Sequence, residues 1–509
     1  MKRFIILIPL LFLACSVSKK TNLKNQVNFT VLQFNDFYEI SGIENGTAGG
    51  AARMSTLRTK LIQENPNLLT VLAGDFLSPS LIGTLVHDGE KIRGRQMIEA
   101  LNEIGIDLVG FGNHEFDYDQ STLQKRLNES KFDWVSSNIN EIKNNQKARF
   151  KISNNGIDTE IPTNRVYNYS NPNGTKVRVG IVSPCLDANK VKYVSYEDIF
   201  ESTQRELENL KGKVDFVICL SHLNKEQDLK LGKRFPEINL ILGGHEHENM
   251  LFDIGKTRMT KADANAKSAY VHRIQYDGKT KDYSLRSELV EINSSIAQDE
   301  RILKIVNRWK EIENRIIRNL GFDPEEIIPG DVVQYNSAET SMRNVPSNFG
   351  EMICKAMIKT CNGCDAAIIN SGISRLEDDI KGTISQYDIL KVFPYAGSVG
   401  EVELNGSILI KILNVGLDNK GKGGYLQWSG ISKLKEGNWL INGKNIEPDK
   451  SYKIMLNEYL MTGQERGLDF INKSNPELRN INFPDPKDSN NIRKDIRMVI
   501  IDYLKKGGR

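Results

Sequence analysis

A large excess of either charge is missing from this chain. Its 68 Lys and Arg stand against 65 Asp and Glu, a formal +3. The two signs are interspersed, as on a solvated surface. That excludes the clustered basic face of a nucleic-acid-binding protein. Long hydrophobic runs are missing too. The apolar run Phe4 to Ala14 is shorter than the roughly 20 residues that a bilayer demands, and no later stretch reaches that length. There is no internal repeat and no low-complexity segment. Cysteine is scarce, at six residues. Cys361-Asn362-Gly363-Cys364 could be half a zinc knuckle, but no second pair with matching spacing exists. Cys185 and Cys219 lie in apolar runs and read as buried thiols. Cys354, Cys361 and Cys364 read as structural thiols, with a disulfide the alternative in an oxidising compartment.

What is present is enough for two cores. A chain of 509 residues exceeds one ordinary domain, so two domains and connecting pieces are expected. Hydrophobic residues at 39% and charged residues at 26% describe a globular protein. The N-terminus stands apart. Lys2 and Arg3 precede the apolar run, which ends in Phe12-Leu13-Ala14-Cys15. A positive start, a short greasy centre and a small residue before the cut make a secretory signal. The ending resembles a bacterial lipobox, with Cys15 lipidated to anchor the exported chain to a membrane. Ordinary cleavage near Ala14 or Ser16 is the alternative. Residues 16–28 read as a polar tether.

From 29 to 293 short apolar runs alternate with amphipathic stretches. Strands are expected at Phe29–Phe34, Leu68–Ala73, Leu108–Phe111, Val177–Val182, Phe216–Leu220 and Leu240–Leu242. Helices lie between them, as at Met54–Ile62 and Gln96–Ile104. That alternation predicts an α/β layered domain. Residues 302–320 carry Ile302, Ile305, Trp309, Ile312, Ile316 and Leu320 at helical spacing. This helix is the core of a linker over 294–325. A second, smaller α/β domain then runs over 326–509.

Five strand ends carry a specific set of polar residues. They are Asn35-Asp36-Phe37-Tyr38, Gly74-Asp75, Gly112-Asn113-His114-Glu115-Phe116-Asp117, Ser221-His222 and Gly243-Gly244-His245-Glu246-His247. Histidine is as scarce as cysteine, yet four of the six fall here. Any one segment is weak: a lone Gly-Asp is usually a turn. Together they mix carboxylates, an amide and neutral imidazoles, which suits zinc, manganese or iron better than calcium. Two such ions about 4 Å apart can hydrolyse a phosphate ester.

The segments resemble those of the calcineurin-like metallophosphoesterases, and within them the bacterial periplasmic 5'-nucleotidase and UDP-sugar hydrolase family. That resemblance implies a four-layer αββα sandwich for the first domain and two divalent metal ions. Asp36, Asp75 and His247 would hold one ion. Asp75 would bridge to a second, held with Asn113, His222 and His245. His114 would stabilise the transition state or leaving group, oriented by Asp117. One departure stands out. The family pattern is Asp-x-His, and here Tyr38 replaces the histidine. A phenolate can bind ferric iron; otherwise water fills the position, or Tyr38 only packs beside the site.

The later half resembles the family's substrate-binding domain. Asn370-Ser371-Gly372-Ile373-Ser374-Arg375 keeps the Asn and Arg of a glycine-rich segment but loses two glycines. Arg343 resembles an arginine at a helix start. Phe393-Pro394-Tyr395 and Asn457-Glu458-Tyr459 correspond to two base-stacking segments, and Glu465 to a ribose-binding acid. The resemblance thus implies a nucleotide substrate bound by Arg343, Asn370, Gly372, Arg375, Tyr395, Tyr459 and Glu465. Half-buried packing is the alternative for each tyrosine, and Trp428 reads as core. The expected reaction is hydrolysis of nucleoside 5'-monophosphates. Cyclic 2',3'-nucleotides or UDP-sugars are alternative substrates, and a non-catalytic nucleotide-binding surface lipoprotein is an alternative of another class.

If Cys15 carries lipid, the mature chain partitions with membranes. Cys15→Ala is then expected to release it or leave it unprocessed. Intact-mass analysis of the membrane and soluble fractions checks this, and an unlipidated mature chain beginning at Ser16 or later excludes it.

Overall fold

The computed structural model describes residues 23–508 apart from 45, 331, 332, 377, 378, 436, 486 and 489. The expected signal and Cys15 therefore lie outside the described residues. Among those described, no helix is long and apolar enough to cross a membrane.

Two six-stranded sheets build the first domain. The first runs Tyr283–Glu291, Ser268–Asp277, Gln26–Phe34, Leu68–Ala73, Leu108–Gly110, Asp133–Val135. The second runs Asn164–Ser170, Lys176–Val182, Phe216–Ser221, Leu240–Gly243, Thr257–Lys261, Met250–Ile254. Period-two alternation explains the stacking. Along the first strand Val27, Phe29 and Val31 face the second sheet, where they meet Val179, Phe216, Ile218 and Leu242 in one core. Leu32 and Phe34 point the other way, into the core shared with helices Ala51–Glu64 and Arg95–Ile104. Helices Ile199–Leu210 and Lys225–Arg234 cover the outer face of the second sheet. The layers are therefore helix, sheet, sheet, helix.

Parallel pairing decides where the strand ends go. Gln26–Phe34, Leu68–Ala73 and Leu108–Gly110 are mutually parallel neighbours. So are Lys176–Val182, Phe216–Ser221 and Leu240–Gly243. Their C-terminal ends, all but that of Lys176–Val182 leading into one of the polar segments, thus line one edge of each sheet. Buried Gln33 ties the two edges together. Its amide donates to the Gly243 and Thr260 carbonyls at 3.1 and 3.0 Å.

The second domain has a five-stranded sheet in the order Leu426–Ser429, Ala366–Asn370, Ser451–Asn457, Val399–Asn405, Arg479–Asn482. Helices Asn348–Lys359 and Ile496–Lys505 pack on one face, and Gly406–Asp418 on the other. Its two central strands, Ala366–Asn370 and Ser451–Asn457, are parallel. Asn370 and Asn457 end them side by side, and the Asn457 amide donates to Asn370 Oδ1 at 3.0 Å.

The connecting helix spans Glu300–Asn319. Its most buried residues are Ile302, Val306, Trp309, Glu313 and Ile317. Ile305, Ile312 and Ile316 are half-buried beside that stripe, and Leu320 is exposed beyond the helix end. The buried stripe therefore keeps the expected Ile302 and Trp309 but adds Val306, Glu313 and Ile317, and the Trp309 indole donates to Glu99 at 2.9 Å. A second correction concerns Cys361 and Cys364. They form a disulfide rather than free thiols, since the intervening Asn362-Gly363 turn, with Gly363 at φ 76°, folds one cysteine back on the other. Cys185, Cys219 and Cys354 are free and buried.

Glu313 also meets the second domain: the Tyr387 hydroxyl donates to its carboxyl at 3.1 Å. Burial pushes that carboxyl from 4.5 up to about 8, and the nearby Glu39 adds to the shift. Between those values the folded protein keeps a proton that the unfolded chain releases. Stability from this group is therefore present at low pH and falls as pH rises from about 4.5 to about 8. Glu313→Gln keeps an acceptor for Tyr387 and cannot ionise. The variant is expected to gain melting temperature over the parent progressively across that window, as scanning calorimetry at pH 5, 6.5 and 8 would show.

Candidate metal centre

Four of the residues at the strand ends share an unusual backbone. Asp36, Asp75, His245 and His247 have φ of 50°, 55°, 89° and 61°. Side-chain-bearing residues rarely adopt this left-handed region, and such strain persists where the surroundings over-determine it. Here the turn off each strand end brings the side chain back over the edge of the sheet.

The residues fall into two adjoining sets. In the first, His247 Nε2 lies 3.2 Å from Asp36 Oδ1 and 3.0 Å from the Tyr38 hydroxyl. That hydroxyl also donates to Asp36 Oδ1 at 3.2 Å. Tyr38 thus stands beside both residues, and it is buried. In the second set, His222 Nε2 faces Asp75 Oδ2 at 3.0 Å. Ligand atoms of Asp75, His222 and His245 all lie within 4.8 Å of one another. The sets are coupled through the backbone. The His245 amide donates to Asp36 Oδ2 at 2.8 Å, and the His114 amide to Asp75 Oδ1 at 2.7 Å.

Burial and proton placement show what this edge demands. Asp36 and Asp75 are fully buried. His222 Nδ1 donates to the Ala73 carbonyl at 2.7 Å, so Nε2 is the atom turned to the site. Asp75 Oδ2 and His222 Nε2 are buried and face each other, and Asn113 Oδ1 is buried without a hydrogen-bond partner. Buried carboxylate, amide and imidazole donors of this kind fit a divalent cation. The titration of the groups tells the same story. Burial opposes charge on His222, yet the Asp75 and Asp36 carboxylates outweigh it and lift the imidazole to about 9. Burial and the neighbouring His222 push His245 down to about 4, which leaves it a neutral donor at pH 7. Two buried anions draw positive charge, and a metal supplies it more compactly than protons.

Glycines make room. A Cβ on Gly112 would lie 2.1 Å from Asp75 Oδ1, and one on Gly244 2.4 Å from the Ala73 carbonyl. Sequence reasoning missed Glu115, although it sits inside the Gly112–Asp117 motif. It is fully buried and accepts from the amides of Asp75, Phe76, Leu77 and Gly112 at 2.7–3.2 Å. It therefore fixes the Asp75 turn against the His114 turn. Burial, with the nearby Asp75, raises its carboxyl to about 7. Its place inside that polar motif was its only signal. Beside the centre, His114 Nδ1 lies 2.8 Å from Asp117 Oδ2. Ser78 and Asn189 donate to Asp117 at 2.8 and 2.6 Å, two partners that nothing in the sequence marked.

On the second domain the expected residues divide. Tyr395 and Tyr459 are 52% and 44% exposed, too open for core packing. The Arg375 guanidinium lies 5.9 Å from the Tyr395 ring centroid. Burial raises the Tyr395 phenol, and the charges that act on it include Arg375 and, from the first domain, Asp117 and Arg93. Asn370 is buried and donates to Glu465 at 3.1 Å. Gly372 packs backbone to backbone on Gly423. Arg343 ends the short helix Glu339–Met342, pairing with Glu339, rather than starting a helix. A cleft of about 740 Å³ lies between the domains, lined by Tyr38, Glu39 and Ser80 on one side and Arg375, Lys391 and Pro394 on the other.

The fold and this centre define a metallophosphoesterase, and residues 29–249 match the calcineurin-like phosphoesterase family. Residues 329–471 match the 5'-nucleotidase C-terminal domain. With both domains in that order, the chain belongs to the 5'-nucleotidase family of these hydrolases. It is 24% identical over 474 residues to the 5'-nucleotidase of Homo sapiens, covering 82% of this chain and 78% of that one. It is 25% identical over 505 residues to the 5'-nucleotidase of Vibrio cholerae, covering 85% and 84%. The crystal structure of the 5'-nucleotidase precursor from Thermus thermophilus superposes with a TM-score of 0.67 at 21% identity, covering 94% and 96%. At that identity the superposition speaks for the fold. The family implies divalent metal ions.

Asp75 faces His222 directly and reaches the other set through shared backbone. Asp75→Asn is expected to lose bound metal and to cut turnover beyond the roughly 10- to 100-fold that outer partners of a metal site cost. Elemental analysis and initial rates on the purified variant check both.

Proposed function

We propose that this hydrolase cleaves nucleoside 5'-monophosphates to nucleoside and inorganic phosphate, with the nucleotide spanning the two domains. One observation carries the reading. Exposed Tyr395, with Arg375 beside its ring, lies near enough to Asp117, the partner of His114, for that carboxylate to act on its phenol. A base and a phosphate ester therefore have separate places to bind.

The residue roles follow from chemistry. Asp36 and His247, with Tyr38 beside them, would hold one divalent ion. Asp75, Asn113, His222 and His245 would hold the second. When bound, such ions compensate charge on the phosphoryl oxygens and provide a nucleophile at neutral pH. Nitrogen and oxygen donors favour zinc, manganese or iron. His114 sits outside these sets and serves the leaving oxygen, where an imidazole can give up a proton. Asp117, itself held by Ser78 and Asn189, keeps that ring in place.

Across the cleft, Tyr395 and Tyr459 offer π faces to a base, at about 1–3 kcal/mol per stack. Asn370 and Glu465 form a hydrogen-bonded pair suited to ribose hydroxyls. Arg375 and Arg343 bring positive charge for the oxygens that a nucleotide presents. Gly372 lets the backbone of that loop approach closely. Binding energy won at the base then positions the phosphate at the metals. Export and anchoring through Cys15 would place the reaction outside the cytoplasm, in the periplasm or at the cell surface.

Phosphate release from AMP, a 2',3'-cyclic nucleotide and a UDP-sugar, measured beside metal content, tests the reading. Turnover of none by metal-loaded protein would favour a non-catalytic nucleotide-binding role. Tyr395→Ala separates the two halves of the proposal. It is expected to cut kcat/KM for AMP about 10- to 100-fold, from one lost stack. It should barely change p-nitrophenyl phosphate hydrolysis, because that ester has no base. Equal losses on both substrates would remove Tyr395 from base recognition.

A further inference from the structure

The loops that carry His222 and His245 share a buried cation. Lys261 ends strand Thr257–Lys261 and has no exposed surface. Its Nζ donates to the Leu223 carbonyl at 2.6 Å and to the Gly244 carbonyl at 2.8 Å. One carbonyl directly follows His222 and the other directly precedes His245. Nζ also lies 2.8 Å from Asp228 Oδ2 and pairs with Glu246. Each anion is fastened in turn. Asp228 Oδ1 accepts from the Ser221 hydroxyl at 2.7 Å, and Glu246 accepts from the Lys225 amide. These partners thus lie on the His222 loop, the helix that follows it, or the His245 loop. Gly243 permits the approach: a Cβ there would sit 2.8 Å from Lys261 Cε.

A buried ammonium is costly unless its charge and its three N–H donors are met. Here two carboxylates meet the charge, and two of the donors fix the peptide planes that flank the imidazoles. The rings themselves stand 5.4 Å apart, centroid to centroid. A neutral side chain could neither balance the two acids nor bond both carbonyls with the same strength. We infer that Lys261 is a positioning residue for the metal centre, setting the spacing of His222 and His245 through their backbones. The inference rests on the reading that these histidines hold a metal ion.

The test is metal affinity of the full chain, with zinc and with manganese, each titrated against a competing chelator. His222→Ala comes first. If it binds as the parent does, the ligand reading fails and this inference with it. If it binds more weakly, Lys261 can be judged separately. Asp228→Asn keeps the ammonium and both carbonyl bonds, and is expected within about threefold of the parent. The double variant Lys261→Met with Asp228→Asn removes the ammonium without stranding the buried carboxylate. It is expected to bind about 10- to 100-fold more weakly and to regain AMP turnover when metal is raised to saturation. A folded double variant that binds as Asp228→Asn does would overturn the inference. So would a double variant whose metal-free form shows no thermal unfolding transition, since Lys261 would then serve the fold and not the ligands.

Discussion

Two carboxylates buried at the meeting edge of two sheets govern this structure. Asp36 and Asp75 have no exposed surface, and both sit on left-handed backbone. Neither condition is favourable alone. An ionised group out of water needs compensating charge, and a strained backbone needs neighbours that hold it. The chain answers both with the same parts. Imidazoles from the second sheet face the acids of the first, and amides of His114 and His245 donate to them. Glu115 then holds the turn after Asp75 with bonds from four amides. The sandwich is built so that these edges coincide, and Gln33 stitches them where the strands end.

The division of labour between domains follows from that arrangement. The first domain concentrates charge in a small, rigid place. The second offers exposed aromatic faces and a guanidinium, which on the proposed reading suit a flat, polar molecule. Contacts between the two include polar pairs, as in Lys391 with Glu39 at 3.8 Å and Tyr387 with Glu313. Interfaces with polar contacts of that kind permit relative motion of domains, which suits a substrate that must enter a cleft and leave in two pieces. Tyr38 adds an individual feature. A phenol beside Asp36 and His247 makes the first set of residues chemically distinct from the second.

Much of the layering was legible in the sequence, because strands with period-two alternation and helices with an apolar stripe announce themselves locally. Phe29 to Phe34 and Leu240 to Leu242 were visible as buried runs, and the polar set after each strand marked the site. Other parts carried no local signal. Trp309 finds its partner in Glu99, 210 positions away. Cys361 and Cys364 paired because a turn closed between them. Ser78, Asn189 and Lys261 looked like ordinary polar residues, since their meaning lies wholly in what they touch. Arg343 was misplaced at a helix start because the boundary between two short helices depends on packing around it.

By itself, the sequence determined the order of the elements, the kinds of donor at each strand end and the family to which the chain belongs. Those are properties of neighbours along the chain, set by periodicity, turn chemistry and side-chain type. Only the tertiary structure decided which donors meet. It brought Asp36 beside His247 and Asp75 beside His222, buried Asn113 Oδ1 without a hydrogen-bond partner, and slid Lys261 beneath two loops. The reason is physical: burial, charge compensation and shared acceptors are relations between residues far apart in the chain. They come into being only when the two sheets close on each other.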